Sequence, residues 1–263
     1  MFWNVTLVEQ SKLLRRRLLG IELAILALLI GSMGGLIYGV IPRLPGEEAP
    51  PLLWSAAVTT LLTVAGNPMF GGILAVVLVG AMTAQAYQWR TIHLWLSHGT
   101  PRRTLLGAKL LALLPALLLL PLVALLVAAP LTALLLPPVG GTLDIAAIGS
   151  GGLLWTIVAA GLGLLPYVAL ALLLAVLTRT PVAPIGVGIG FIVAEGIGSS
   201  LLTSMAIPIL DRLLAFLPAH LAGGLHGAVP GLHPAAALAG VLAWSLLFLV
   251  PAFLIFERQD LTD

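Results

Sequence analysis

Glu195, Ser199 and Thr203 recur every fourth residue inside an otherwise apolar run, so on a helix they share one face. A carboxylate and two hydroxyls aligned in this way either bind a neighbouring helix or line a wet route for a solute, and both readings stay open. Downstream, His220, His226 and His233 stand six and seven residues apart through Gly and Pro. Two metal ligands on one helix stand three or four apart, so this spacing favours ordinary loop histidines over a metal site. Ser150 and His233 are the nucleophile and base that an intramembrane serine protease would need. However, Ser150 lies in the loop run Ile148-Gly149-Ser150-Gly151, not at the start of a buried helix. No G-x-x-x-x-G-K-[ST] loop is present, so the chain has no P-loop for ATP. Gly186-Val187-Gly188-Ile189-Gly190 follows no strand and sits inside an apolar run, which makes it a packing surface and not a nucleotide fingerprint. The chain contains no cysteine, which removes disulfides, thiolate metal sites and a Cys nucleophile.

The elements that must carry these residues are membrane helices. Apolar residues make up 60% of the chain and charged ones 8%, against about a quarter charged in soluble domains. Apolar runs of about 20 residues or more recur, and in lipid only a helix satisfies its own backbone. The expected fold is an all-α membrane protein forming a single transmembrane domain over 1–263. A basic amphipathic helix over 4–17 lies in the headgroup layer against membrane lipids. Six spans follow at 18–41, 66–88, 104–136, 153–177, 182–206 and 234–256. The apolar stretch 52–65 is either an interfacial helix or the first part of a long kinked second span. Residues 207–231 are too broken by Pro and Gly to cross and read as short helices at the far interface. No cleavable signal peptide is expected.

Gly31, Gly35 and Gly39 in the first span, and Gly186 and Gly190 in the fifth, form small-residue strips where another helix can approach closely. Glu22 near the basic end of the first span reads as a carboxylate reaching back to the interface beside Arg15–Arg17.

The longest polar interruption joins the second and third spans. It holds Trp89, Arg90, Thr91, His93, Leu94, Ser97, His98, Gly99, Arg102 and Arg103, with a helix-length run closed by a Gly-Thr-Pro turn at 99–101. With six spans, one side collects ten of the twelve Lys and Arg, and only Arg43 and Arg212 fall on the other. The positive-inside rule makes the termini and the 89–103 connector cytoplasmic. A short helix pinned between two spans is suited to carry force from a partner outside the membrane. No nucleic-acid partner is expected.

The connector resembles that of the ABC-2 type exporter permeases, whose pattern is close to E-x-x-x-G-T-L-x-x-L-L-S-x-G-x-x-R-x-x-L-L-x-x-K. Thr91, Leu96, Ser97, Gly99, Arg102, Leu105, Leu106 and Lys109 match it, with Leu94 inside the same run. Ala86 stands where Glu is usual, and Arg90 replaces the Gly before Thr91. The basic N-terminal helix and the broken 207–231 segment are also similar to that family.

The resemblance implies a non-enzymatic permease in the plasma (bacterial inner) membrane. It would pair with a second permease copy or homologue and with two copies of a separate ATPase subunit that bind ATP and Mg. No cofactor belongs to this chain on that reading. The connector residues would dock on the ATPase, the glycine strips would form the dimer seam, and the Glu195 stripe would face the translocation route. A stand-alone secondary transporter or channel is the competing expectation.

Overall fold

The computed structural model describes residues 2–43, 53–88, 92, 95, 97, 99–144, 151–205 and 214–259. Among these residues the protein is all-helical, with no strand and one isolated backbone bridge between Leu53 and Thr142. In chain order the α-helices are α1 (Phe2–Leu14), α2 (Arg17–Gly34), α3 (Trp54–Gly66), α4 (Ile73–Gln88) and α5 (Arg102–Leu135). They continue as α6 (Gly152–Gly163), α7 (Leu165–Thr178), α8 (Val182–Ser204), α9 (Pro218–Leu225) and α10 (Pro234–Arg258).

Among the described residues five helical stretches are long and apolar enough to cross a membrane: Arg17–Val40, Arg102–Leu135, Gly152–Thr178, Val182–Ser204 and Pro234–Arg258. Trp54–Gly66 and Pro68–Thr83 pass the same test together, as one pair bent by 40°. The protein is a helical membrane protein. Its outward surface is accordingly oily: Leu28, Leu126, Leu134 and Val182 are each more than 70% exposed, which water would penalise and lipid tails do not.

The helices break where the sequence supplies Pro, Gly or Asn. At the elbow between α3 and the turn Pro68–Gly72, Pro68 has no N–H to give back to α3. The Asn67 side chain caps the new turn instead, its Oδ1 accepting from the Met69 N–H at 2.9 Å. Between α6 and α7 the break at Leu164 is followed by Pro166 in the first turn of α7. By contrast α5 runs unbroken for 34 residues with Pro115, Pro121 and Pro130 inside it. Neighbouring helices hold it straight enough to remain one element, as lipid-embedded bundles allow.

Small residues set how closely the helices approach. Buried Ala108, Ala112, Ala116, Ala124 and Ala128 recur at multiples of four along α5, the helix against which α1, α2, α3 and α6 pack. The glycine strips behave unequally. Gly31 and Gly39 face Val127 and Leu135 of α5 at ordinary contact distance, whereas Gly35, Gly186 and Gly190 have open space where a side chain would go. The tight approaches fall on neighbours of the expected set: a Cβ on Gly34 would lie 2.6 Å from Leu131, and one on Gly188 would lie 2.6 Å from Val76 of α4.

The connection after α5 stabilises the start of α3. Leu53, the N-cap residue of α3, offers no side-chain acceptor, and Asp144 supplies one from across the fold. Its Oδ1 accepts from the Ser55 N–H at 2.8 Å, its second oxygen takes the Ser55 hydroxyl, and the Trp54 N–H bonds to the Thr142 carbonyl. Those Ser55 bonds hold the Asp144 carboxyl below the usual carboxylate range.

A Cβ on Gly66 would lie 2.7 Å from the Ala160 Cα, so the elbow tolerates no side chain there. Gly66→Ala is expected to cost about 1–3 kcal/mol by forcing α3 and α6 apart. A lowered melting temperature of the purified protein in detergent checks this, with Gly186→Ala, at an open position, unchanged.

Candidate functional site

Two polar assemblies stand out, one at each end of the bundle. The first surrounds the connector. Of the residues expected to couple to a partner, Trp89, Arg90, Thr91, His93, Leu94 and His98 lie outside the described residues. Within the segment Ile92 is buried, Trp95 half-buried and Ser97 exposed, and all three are helical. Gly99 takes φ +75°, a left-handed conformation that ends the helical turn, and the Thr100 N–H folds back to the Trp95 carbonyl at 3.2 Å.

Arg102 and Arg103 open α5 and reach across to the end of α10. The Arg102 guanidinium donates to the carbonyl of Glu257 at 2.9 Å and to that of Gln259, and Arg103 pairs with the Glu257 carboxylate. A cation on the last carbonyls of a helix satisfies acceptors that have no intrahelical donor and complements the helix dipole. Gln259 then ties in two more elements: its amide donates to the Val176 carbonyl at 2.6 Å and its Oε1 accepts from Tyr87 at 3.2 Å. The ends of α4, α7 and α10 and the start of α5 therefore meet at one point.

The amphipathic helix α1 docks on the same end. Glu9 and Lys109 are both buried and their side chains meet at 2.6 Å, while Lys12 binds the other Glu9 oxygen at 3.1 Å. The Lys12 ammonium also stands 5.6 Å from the centre of the Trp95 ring, a cation–π contact that joins α1 to the connector. Burial raises the Glu9 pKa, and the two lysines, Lys109 foremost, overcome that and leave it below its ordinary value.

The second assembly is built around Glu195. Its carboxylate is buried and accepts from the Tyr167 hydroxyl at 2.6 Å and from the Ala219 N–H at 2.7 Å. It thereby joins α8 to α7 and caps the first turn of α9. One and two turns further along α8, Ser199 and Thr203 line a cavity of about 960 Å³ together with Ser200, Ser204, Leu217 and His220. The stripe expected from the spacing is thus divided: Glu195 binds helices together beneath the cavity, and the hydroxyls face the cavity.

The three histidines do not converge. His233 caps α10, its Nδ1 accepting from the Ala235 N–H at 3.3 Å, and His220 lines the cavity. His226 is packed beside Gly66, and neither ring nitrogen has a hydrogen-bond partner among the described residues. Burial holds its pKa below the usual value. No group of three His, Cys, Asp or Glu side chains suited to a metal occurs among the described residues. Ser150, the nucleophile of the protease reading, lies outside the described residues. Glu22 does not reach back to the interface as expected: it is 3% exposed, and neither carboxylate oxygen has a hydrogen-bond partner among the described residues.

Sequence reasoning missed the Glu9–Lys109 pair, although a signal existed. A lysine two turns inside an apolar span requires a partner, and Glu9 is an acid in a basic amphipathic helix. The Arg102 clamp had no such signal, because its acceptors are main-chain carbonyls, which every residue carries.

A family model described as a protein of unknown function, DUF2705, matches residues 52–262. The chain belongs to the DUF2705 family. The match runs from the approach to α3 through the end of α10, so the DUF2705 region includes both Arg102 and Glu195, while α1 and α2 precede it. None of the curated proteins matches the chain.

Two outcomes are expected. Lys109→Met leaves Glu9 buried without its main partner and should cost about 3–5 kcal/mol, whereas adding Glu9→Gln should recover most of it, as read by thermal unfolding in detergent. His226 resists protonation in the fold, so its contribution is present above the unfolded value of 6.5 and lost as pH falls below it. The melting temperature should drop between pH 7 and 5, and His226→Phe should flatten that drop.

Proposed function

We propose that this protein is the transmembrane permease subunit of an ATP-driven exporter of the ABC-2 type. On this reading it has six spans, the bent pair α3–α4 counting as one, with both termini and the connector in the cytoplasm of a bacterial inner-membrane system. ATP and Mg would be held by a separate ATPase subunit, present in two copies, and the permease would work as a pair with a second copy or a homologue.

The observation that carries the reading is the way the connector is fastened. Lys12 of α1 sits over Trp95, and Arg102, near the end of the connector, grips the end of α10. A push on the connector would therefore reach α1, α5 and α10 together, and through Gln259 also α4 and α7. Rigid elements coupled in this way convert a small displacement into a change between packings of the bundle. The sequence match to the ABC-2 connector, Thr91 through Lys109, supports the same reading.

On this reading Arg102 takes a different part. Arg102 is occupied inside the permease, so its expected role shifts from contact with the ATPase to transmission. On this reading the docking contact falls to Ser97, which is exposed.

Purification of the tagged full-length chain from its native membranes should bring down a nucleotide-hydrolysing subunit. Ser97→Trp should lower that recovery by about tenfold or more, a loss of roughly 1.4 kcal/mol, while leaving the melting temperature unchanged. Recovery of the chain with no ATPase, or solute transport by liposomes holding this chain alone, would sink the proposal.

A further inference from the structure

The cavity at the end of α8 has an unusual wall. Ser199, Ser200, Thr203 and Ser204 all line it, and each hydroxyl donates its hydrogen to a carbonyl of its own helix. Ser199 and Ser200 donate to Gly196 at 2.9 and 3.0 Å, Thr203 to Ser199 at 2.8 Å, and Ser204 to Leu201 at 2.7 Å. A hydroxyl has a single hydrogen to give and two lone pairs to offer. With the hydrogens committed to the backbone, this wall presents oxygen lone pairs and no hydroxyl donors. One turn below Ser199 lies the Glu195 carboxylate, fastened to Ala219, which is itself part of the cavity lining.

We infer that this cavity binds the ammonium head of an amphiphile. Three N–H donors on one cation match a row of acceptors, and the buried carboxylate beneath supplies a negative potential that water screens poorly. A carboxylate or phosphate head would meet lone pairs facing lone pairs and a like charge below. Leu214, Leu217, Val229 and Pro230 suit an apolar tail, the His220 imidazole is the one other polar side chain of the lining, and the volume of about 960 Å³ holds a head group and part of a chain. The site lies at the end of α8 remote from its first turn beside Arg179, about 30 Å away by helix rise. Its distance from the connector means the ligand and the proposed ATPase contact act on opposite ends of one bundle. That the bound amine is also the exported substrate rests on the exporter reading, whereas the binding itself does not.

The test uses the full-length chain in phosphatidylcholine nanodiscs, with no ATPase present, titrated calorimetrically with octylammonium, octanoate and octan-1-ol. Octylammonium is expected to bind saturably beyond its partition into empty nanodiscs, and the two other probes are not. Ser199→Ala with Thr203→Val should weaken octylammonium about tenfold. Glu195→Gln, which can keep an acceptor for the Ala219 N–H and a bond to Tyr167 but loses the charge, should weaken it similarly at an unchanged melting temperature. Equal binding of octanoate, no signal above empty nanodiscs, or unaltered affinity in the folded variants would each overturn the assignment. Binding without ATPase association would instead remove the exporter reading and leave this site standing.

Discussion

Lipid offers no hydrogen-bond partner, and that single constraint accounts for most of the polar architecture of this protein. Every interruption of a helix exposes N–H and C=O groups that water would otherwise satisfy. The elbow at Asn67 closes on its own side chain, the start of α3 takes Asp144 from the far end of a loop, and the end of α10 takes a guanidinium from α5. Charges obey the same rule. Glu9 and Lys109 are tolerable at their depth because each supplies what the other lacks. Apolar packing in lipid cannot discriminate strongly between one arrangement of helices and another. The polar ties therefore do more than satisfy groups locally; they select which helix ends meet.

Because these ties cluster at the two ends, the bundle divides into a fastened basic end and a hollowed opposite end. At the basic end the tail residue Gln259 and the start of α5 hold four helices at one junction, and α1 is clamped alongside by an ion pair. At the other end Glu195 braces α7, α8 and α9, and the cavity opens above it. The apolar middle connects the two through long helices, of which α5 is the longest at 34 residues. A lever of that length, fastened at one end and next to little polar structure along its middle, transmits displacement better than it absorbs it.

The sequence made the membrane class, the helical content and the break at Asn67-Pro68 readable, since these depend on composition and on residues with fixed backbone habits, whereas the break at Leu164 fell inside what reads as one span over 153–177. The alignment of Glu195, Ser199 and Thr203 on one face was equally readable from their spacing. Their separate roles were not, because the partners of Glu195 lie 28 and 24 residues away on other elements. The same holds for Arg102 and Arg103, whose bonds to the end of α10 join residues 155 and 154 positions apart. Glycine periodicity also marked faces better than contacts. Gly34 and Gly188 make the close approaches, one or two positions away from the regular strips, because a helix with 3.6 residues per turn drifts off any strict four-residue repeat.

That drift bears on what the strips are for. Among the described residues nothing lies within 4 Å of where a side chain on Gly35, Gly186 or Gly190 would begin, while Leu36, Val182 and Val187 beside them are at least half exposed. Bare glycine between exposed branched side chains makes shallow notches flanked by ridges, a relief into which a helix fits more closely than lipid tails do. Among the described residues the close packing is made by other glycines, and these notches make no such approach. Their cost in helix propensity is about 1 kcal/mol each relative to alanine in water. In the proposed assembly this face of α2 and α8 would pack against the second copy, away from the residues that fasten the connector.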